Sequence, residues 1–274
     1  MYIVHLYIMD NIKRQRIVKR SAGLACCRYN NTRKCYEILL VKKRCTYNFV
    51  AFVLGHYSKR DEKRVKFLFN GMTYSEKVDI LSLKYGQLWY RVMLYYPDYL
   101  DINNDRMSKG DINAYIKKKN KFESTFVVDG GRKLRTIING THNSELLWEI
   151  PKGRKCKNEI TLDCAVREFR EETGMKPSHY RVLTQISPVT ESYINMGTTY
   201  INKYYVSKSY AKTNPHVSFM TNQQISEIED IQWMNTADIR RHDPVGRLSK
   251  QVLKIFKLFK ASQKHVRNIT DLQY

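Results

Sequence analysis

The chain has 274 residues, enough for one large domain or two modest ones, and its 48 Lys and Arg against 26 Asp and Glu give a formal net charge of +22. That excess is more than solubility needs and attracts phosphate-rich polymers, so nucleic acid is the first partner to consider, ahead of anionic membrane surfaces and of small polyanions such as inositol pyrophosphates. The six cysteines (Cys26, Cys27, Cys35, Cys45, Cys156 and Cys164) include no CxxC pair and no His partner at zinc spacing, and the apolar start Tyr2 to Met9 is far shorter than the roughly 20 residues of a bilayer span. These features argue against a disulfide framework, structural zinc and a transmembrane segment. Nothing resembles a secretory signal, so the expected address is a reducing intracellular compartment, with the protein soluble or at most peripheral to membranes.

Residues 1 to about 16 end in a basic cluster, Lys13, Arg14 and Arg16, and read as a frayed tail or an added edge strand. Two strand-like runs follow, Ala22 to Tyr29 and Tyr36 to Val41, joined by NNTRK, whose Asn and polar residues suit a hairpin turn. Phe49 to Leu54 is a third apolar run and reads as a further strand of the same sheet. From about Tyr57 the apolar period moves from two toward 3.6. Thr73 with Glu76 makes a capping box for a helix ending near Gly86, and Gln87 to Tyr96 is a long apolar and aromatic stretch up to Pro97. A second helical block lies around Asp111 to Lys121, and Gly130 and Gly131 introduce a short helix, Arg132 to Asn139, closed by Gly140. This pattern predicts a helical domain over 57–140, with hinges near 56 and 141, between two strand-rich blocks, 1–56 and 141–274.

The second block resumes with a strand at Leu146 to Ile150 and leads into GRKCKNEITLDCAVREFREETGM, Gly153 to Met175. The latter half of this stretch predicts a helix, with Thr161 as N-cap and Gly174 followed by Pro177 as the stop. Leu162, Ala165, Val166 and Phe169 make its core face. Glu168, Glu171 and Glu172 stand at i, i+3 and i+4 and share another face. Like charges so placed repel by ~0.2–0.5 kcal/mol per pair. A hard cation such as Mg2+ or Mn2+, which prefers carboxylate oxygens, turns that repulsion into a site. Beyond the helix come strands at Tyr180 to Ile186 and Thr198 to Val206, a short helix after Asn222 passing Glu227, and a strand at Ile231 to Met234. A short helix capped by Thr236 follows, and then an amphipathic helix from Leu248 to about Lys264. The stripe of the last is Leu248, Val252, Ile255, Phe256 and Phe259, with Lys250, Lys254, Lys257 and Lys264 mostly off it.

Gly153, Glu159, Arg167, Glu168, Glu171, Glu172 and Gly174, with Phe169 and Met175 at apolar positions, fall in the pattern G-x5-E-x7-R-E-U-x-E-E-x-G-U, and the stretch resembles a complete Nudix box. SAGLACCRYN, KKRCTYNFVAFVLGHYS, FNGMTYSEKVDILSLKYGQLWY and LLWEIPKG extend the likeness. Together they resemble the mRNA-decapping Nudix enzymes of large cytoplasmic DNA viruses, the African swine fever virus type above all, over most of the chain from about Ser21. The resemblance implies an α+β fold: a Nudix α/β/α sandwich with a mixed sheet, divided into 1–56 and 141–274 with the box at 153–175, and an inserted all-helical RNA-binding domain.

The resemblance further implies hydrolysis of m7GpppN-capped RNA to m7GDP and 5′-monophosphate RNA in the cytoplasm of an infected host cell. By the same likeness Glu168, Glu171 and Glu172, with Gly153, hold Mg2+ or Mn2+, and Glu159 with Arg167 braces loop against helix. Glu227, in EIEDIQW, takes the proton of the attacking water or completes the metal shell. The 7-methylguanine base is cationic and stacks on aromatic faces, for which Tyr47 and Tyr205, then Tyr204, are the candidates by position. Lys117, Lys118, Lys119 and Lys121, with Lys59, Arg60, Lys63 and Arg64, would track RNA from the helical domain, and Lys152 and Lys155 stand beside the box within reach of phosphate. Two other readings are open: a hydrolase of diphosphoinositol polyphosphates or dinucleotide polyphosphates, and a non-catalytic RNA-binding protein. The intact acidic triad argues against the second. The oligomeric state is not legible.

Overall fold

The computed structural model describes residues 17–94, 108–195, 198–210, 215, 225, 227–243 and 245–270, apart from the side chains of residues 195 and 264–270. The basic tail before residue 17, Tyr96, Pro97, Asn222 and the side chain of Lys264 lie outside the described residues. Two compact units emerge, one made of Met1–Leu40, Ile150–His216 and Gln232–Tyr274, the other of Val41–Glu149 and Val217–Ile231.

Among the described residues one mixed sheet contains β1 (Val18–Asn30), β2 (Cys35–Lys43), β3 (Trp148–Glu149), β4 (Lys152–Arg154), β5 (Tyr180–Val182), β6 (Val189–Asn195), β7 (Thr198–Ser209) and β8 (Ile228–Met234). β1 organises it. It runs parallel to β7 from Val18↔Thr199 to Cys27↔Lys208, antiparallel to β4 at Ser21–Gly23, and antiparallel to β2 at Cys27–Asn30. β7 takes β6 and β5, both antiparallel, on its other edge. In the β1–β2 turn Asn30 Oδ1 accepts the N–H groups of Thr32 and Arg33, each at 3.0 Å, an Asx turn of the kind NNTRK suggests. β4 and β6 were not expected. Neither has a long apolar run, and each owes its extended form to a longer partner, β1 for one and β7 for the other.

The unit around Val41–Glu149 is helical: α1 (Tyr47–Val53), α2 (Glu62–Asn70), α3 (Tyr74–Ser82), α4 (Tyr85–Met93), α5 (Lys109–Phe126) and α6 (Arg132–Asn139). Phe49 to Leu54 is therefore not a strand. Thr46 Oγ1 accepts the Phe49 N–H as an N-cap, and Phe49, Phe52 and Val53, at i, i+3 and i+4, enter a core with Phe69, Tyr85, Phe122 and Phe126. For that reason the unit begins at Val41, not 57, and runs to Glu149, not 140. The capping box of Thr73 and Glu76 forms, but its helix stops at Ser82. Gly86 lies inside α4, whose start is closed by Gln87 accepting the Lys84 N–H at 2.9 Å. Glu76, 0 % exposed, also staples α1 to α3, because it accepts Thr46 N–H at 2.7 Å, Thr46 O–H at 2.8 Å and Thr73 N–H at 2.9 Å.

The first unit adds α7 (Thr161–Thr173), α8 (Thr236–Arg241) and α9 (Arg247–Thr270). Thr161 and Thr236 are first helical residues, not caps: Ile160 precedes α7, and Asn235 caps α8 with Asp238 closing the box. α9 buries Val252, Ile255, Phe256 and Phe259, with Phe256 and Phe259 against Tyr36 of β2. All six cysteines are free. Among the described residues no helix is long and apolar enough to cross a membrane.

Candidate active site

The site is assembled on β4 and α7. β4 pairs with β1 through Ala22↔Gly153 and Gly23↔Lys152. At Gly23 an added Cβ would stand 2.4 Å from the Pro151 carbonyl, so only glycine permits this approach of the two strands. α7 seats Cys164 and Ala165 on Ala22, with Tyr205 packed at the side, and its end is closed by Gly174 at φ 68°, the left-handed cap glycine favours. This docking turns the glutamates inward. Glu168 and Glu172 are only 8 % and 4 % exposed. Burying carboxylates is costly unless they are paired, and both have partners.

Glu172 accepts the Lys152 N–H at 3.2 Å. Glu168 lies against Gly153: a Cβ there would fall 2.0 Å from its carboxyl carbon, so the box glycine is a steric requirement of the acid. Arg167 gathers the rest. Its guanidinium meets Glu168 and Glu171 at 2.8 Å each, donates to both oxygens of Glu159 at 2.8 and 3.2 Å, and reaches the Arg154 carbonyl at 3.1 Å. Glu159 also accepts the Cys156 N–H at 2.8 Å. The Arg167 bond, with that N–H behind it, holds the Glu159 carboxyl down at about 2, and Glu159 in turn raises the Arg167 pKa. Loop and helix are thereby joined. Burial pushes the Cys164 thiol up to about 11; it lies 3.7 Å from the Gly153 carbonyl as a small buried donor.

Three carboxylates around one guanidinium, with Glu172 on the same helix, leave an excess of negative charge on this face. The oxygen-only donors, and a Gly153 cradle that any side chain would fill, fit a hard divalent cation held by Glu168, Glu171 and Glu172. Among the described residues no three potential ligands converge at metal spacing, and Glu168 and Glu171 are both paired with Arg167.

The remaining candidates are dispersed. Tyr204 is 2 % exposed and its ring edge lies over Gly23, so it fills the core and has no face to offer a base. Tyr205 is half-buried beside α7. Lys155 is exposed in the loop. In the helical unit Tyr47 is 58 % exposed and donates to Glu149 at 2.8 Å, while Lys43 lies 3.5 Å from Glu149 and 3.3 Å from Glu227. Tyr47 and Glu227 thus share one network, through two residues that sequence reasoning missed. Lys43 and Glu149 lie within stretches that carry the resemblance but have no assigned role there, and β2 and β3 bring them together.

The lysine run on α5 is not uniform. Lys121 donates to the carbonyls of Gly55 and Tyr57 and lies over the Tyr57 ring at 4.5 Å, so it is structural, and burial lowers its pKa. Lys118 and Lys119 lie over Trp89 and Tyr115 at 5.2 and 5.8 Å, while Lys117 is exposed. Lys59 donates to Ser124 at 2.5 Å, Arg64 lies over Phe67, and Arg60 and Lys63 are exposed.

Comparison with known proteins gives the arrangement its context. The NUDIX domain model matches residues 127–254, following most of the helical segment. mRNA-decapping protein g5R of African swine fever virus is 33 % identical over 229 residues, which are 81 % of this chain and 87 % of that one. A putative mRNA-decapping protein of Acanthamoeba polyphaga mimivirus is 28 % identical over 223 residues, 76 % of this chain and 59 % of the mimivirus protein. Among solved structures, an Ap4A hydrolase of C. elegans aligns at 14 % identity and a TM-score of 0.43, over 89 % of this chain and 98 % of its own. Nudix proteins generally use divalent metal ions. With an unbroken box, its glycine packed on the first glutamate and a 33 % identical viral relative along most of its length, the chain belongs to the Nudix family of pyrophosphohydrolases.

Proposed function

We propose that this protein hydrolyses the m7GpppN cap of RNA, releasing m7GDP and 5′-monophosphate RNA in the cytoplasm of an infected host cell. The observation that carries the reading is the 33 % identity to a viral mRNA-decapping protein over 81 % of the chain. The net charge of +22 supports it, since a long polyanion can use basic surface far from the cut.

Glu168, Glu171 and Glu172 would hold Mg2+ or Mn2+, which when bound neutralises the pyrophosphate and lowers the pKa of a water. The water oxygen adds to a bridging phosphorus as the P–O bond to the leaving phosphate breaks, and its proton passes to a carboxylate, a role we assign to Glu227. Arg167 and Glu159 keep the loop on α7, which holds Lys152 and Lys155 near the phosphates. Tyr47 supplies the exposed ring for the cationic base, and Tyr205 at most an edge. Lys117, Lys118 and Lys119, with Lys59, Arg60, Lys63 and Arg64, form the grip on RNA in the helical unit.

The test is to supply cap-labelled RNA, an inositol pyrophosphate and a dinucleotide polyphosphate separately, with Mg2+ or Mn2+. Release of m7GDP faster than turnover of either small polyanion is expected. Faster turnover of a small polyanion would overturn the assignment.

A further inference from the structure

The β6–β7 hairpin and α9 carry a row of rings and cations that the proposed reaction does not use. Tyr193 of β6 and Tyr200 of β7 are register partners and stack face to face, with centroids 5.1 Å apart and 8° between planes. Lys19, the register partner of Tyr200 on β1, lies over the Tyr200 ring at 5.6 Å, and Arg247 lies over the Tyr193 ring at 3.8 Å. Three adjacent strands and a helix thus line up cation, ring, ring and cation. The two ends differ. Arg247 is clamped, donating to Glu191 at 2.6 Å, with Gln251 at 3.5 Å and Asn202 at 3.4 Å on the same carboxylate. Lys19 sits loosely over its ring on a flexible four-carbon stem.

From Arg247 the positive charge continues along α9. Lys250, Lys254 and Lys257 follow at i+3, i+7 and i+10, all exposed, within an arc of about 80° on the side away from Val252, Ile255, Phe256 and Phe259. The stripe is about 15 Å long at 1.5 Å per residue. α9 contains no Asp or Glu, so its lysines repel one another at i,i+3 and i,i+4 with no acid of their own helix to compensate, and an external polyanion relieves this. The row also lies near the box. By register Asn202, which donates to Glu191, stands opposite Ser21 of β1, and Ser21 stands opposite Arg154 at the end of β4.

We infer that this surface binds single-stranded RNA: a base stacks on the Tyr200–Tyr193 pair in the place Lys19 covers, and flanking phosphates pair with Lys19, Arg247, Lys250, Lys254 and Lys257. Rings that take any base, beside a basic rail that follows the backbone, are the usual physical means of holding a single strand without reading its sequence. A duplex cannot use the rings, because its bases are already stacked. An anionic membrane fits less well, since among the described residues on the basic side of α9 the exposed large apolar residue is Leu253, at 44 %. The inference rests on RNA being the substrate, and it adds a path for the strand along the sheet unit.

The test is equilibrium binding of a short, uncapped 5′-monophosphate RNA to the full chain at several salt concentrations. Changing Lys250, Lys254 and Lys257 together to Gln should weaken binding about tenfold and flatten the slope of log K against log salt by about two, at ~0.7 per phosphate. Changing the same three to Arg should restore both. Tyr200→Leu should cost about fivefold or more on single strands, leave the salt slope unchanged, and have no effect with duplex RNA. 4-Thiouridine in the RNA should crosslink to the hairpin. An unchanged affinity and slope in the Gln variant, with its melting temperature intact, would overturn the proposal, as would a loss seen only with phosphatidylserine vesicles. Should the Gln variant lose RNA binding while the native chain leaves capped RNA uncut, the decapping reading fails and the path stands.

Discussion

The two units bury the same residue type to opposite ends. In the helical unit Glu76 accepts two backbone N–H groups and a hydroxyl, all neutral donors, and joins two helix starts. In the sheet unit Glu168 and Glu172 are almost as buried, but they stand on one helix with Glu171, and Glu159, Glu168 and Glu171 converge on Arg167. A carboxylate satisfied by neutral donors holds a fold together. Carboxylates crowded beyond the cations at hand store repulsion that a bound metal ion relieves, so the contrast separates structure from chemistry without reference to any motif.

That contrast can be broken most directly at the box. Glu171→Gln or Glu172→Gln should lower hydrolysis about a thousandfold or more, because each removes charge from the face proposed to hold the metal. RNA affinity and melting temperature should hardly change, and near-native turnover with metal present would remove these residues from the site. The opposite is expected of Glu76→Ala: three donors lose their acceptor in a dry core, for about 2–4 kcal/mol of stability in denaturant titration. Its folded fraction should keep the native turnover.

Gly153→Ala sharpens the comparison, since the new methyl must displace the Glu168 carboxylate. About 1–3 kcal/mol of overpacking and a weaker response to added metal are expected together, and a variant with native metal dependence would show the cradle to be unnecessary. Within the lysine run, Lys121→Ala should reduce stability, because two backbone carbonyls lose their donor. Lys117→Ala should leave stability alone and weaken long RNA slightly, with about 0.7 off the salt slope. The reverse pattern would exchange their roles.

The smallest effect concerns pH. Glu159 is held at about 2, below the roughly 4.3 of an unfolded glutamate. Its contribution is therefore complete above about pH 4.3, declines progressively as pH falls below that, and is lost below about 2. A carboxyl NMR titration should find Glu159 still ionised at pH 3, and Arg167→Gln should return it toward 4.3.

Much of this was legible because it is local. The spacing of Glu168, Glu171 and Glu172, the left-handed stop at Gly174, the Thr73–Glu76 box and the short helix before Gly140 all depend on residues within a few positions of one another, where helix geometry leaves little choice. The Asx turn at Asn30 belongs with them.

What only the tertiary structure decided depended on partners far along the chain. Phe49 to Leu54 suits a strand or a helix by composition, and the aromatic core contributed by Phe69, Tyr85, Phe122 and Phe126 selects the helix. Neighbouring tyrosines had different ends, Tyr204 over Gly23 in the core and Tyr205 beside α7, since alternation along β7 sends them to opposite faces and the sequence does not say which face is covered. Lys121 looks like its neighbours Lys117, Lys118 and Lys119 until Gly55 and Tyr57 place carbonyls in front of it. The Tyr193–Tyr200 row needed β1, β6, β7 and α9 brought together, because rings meet only once register is set, and register is a property of paired strands.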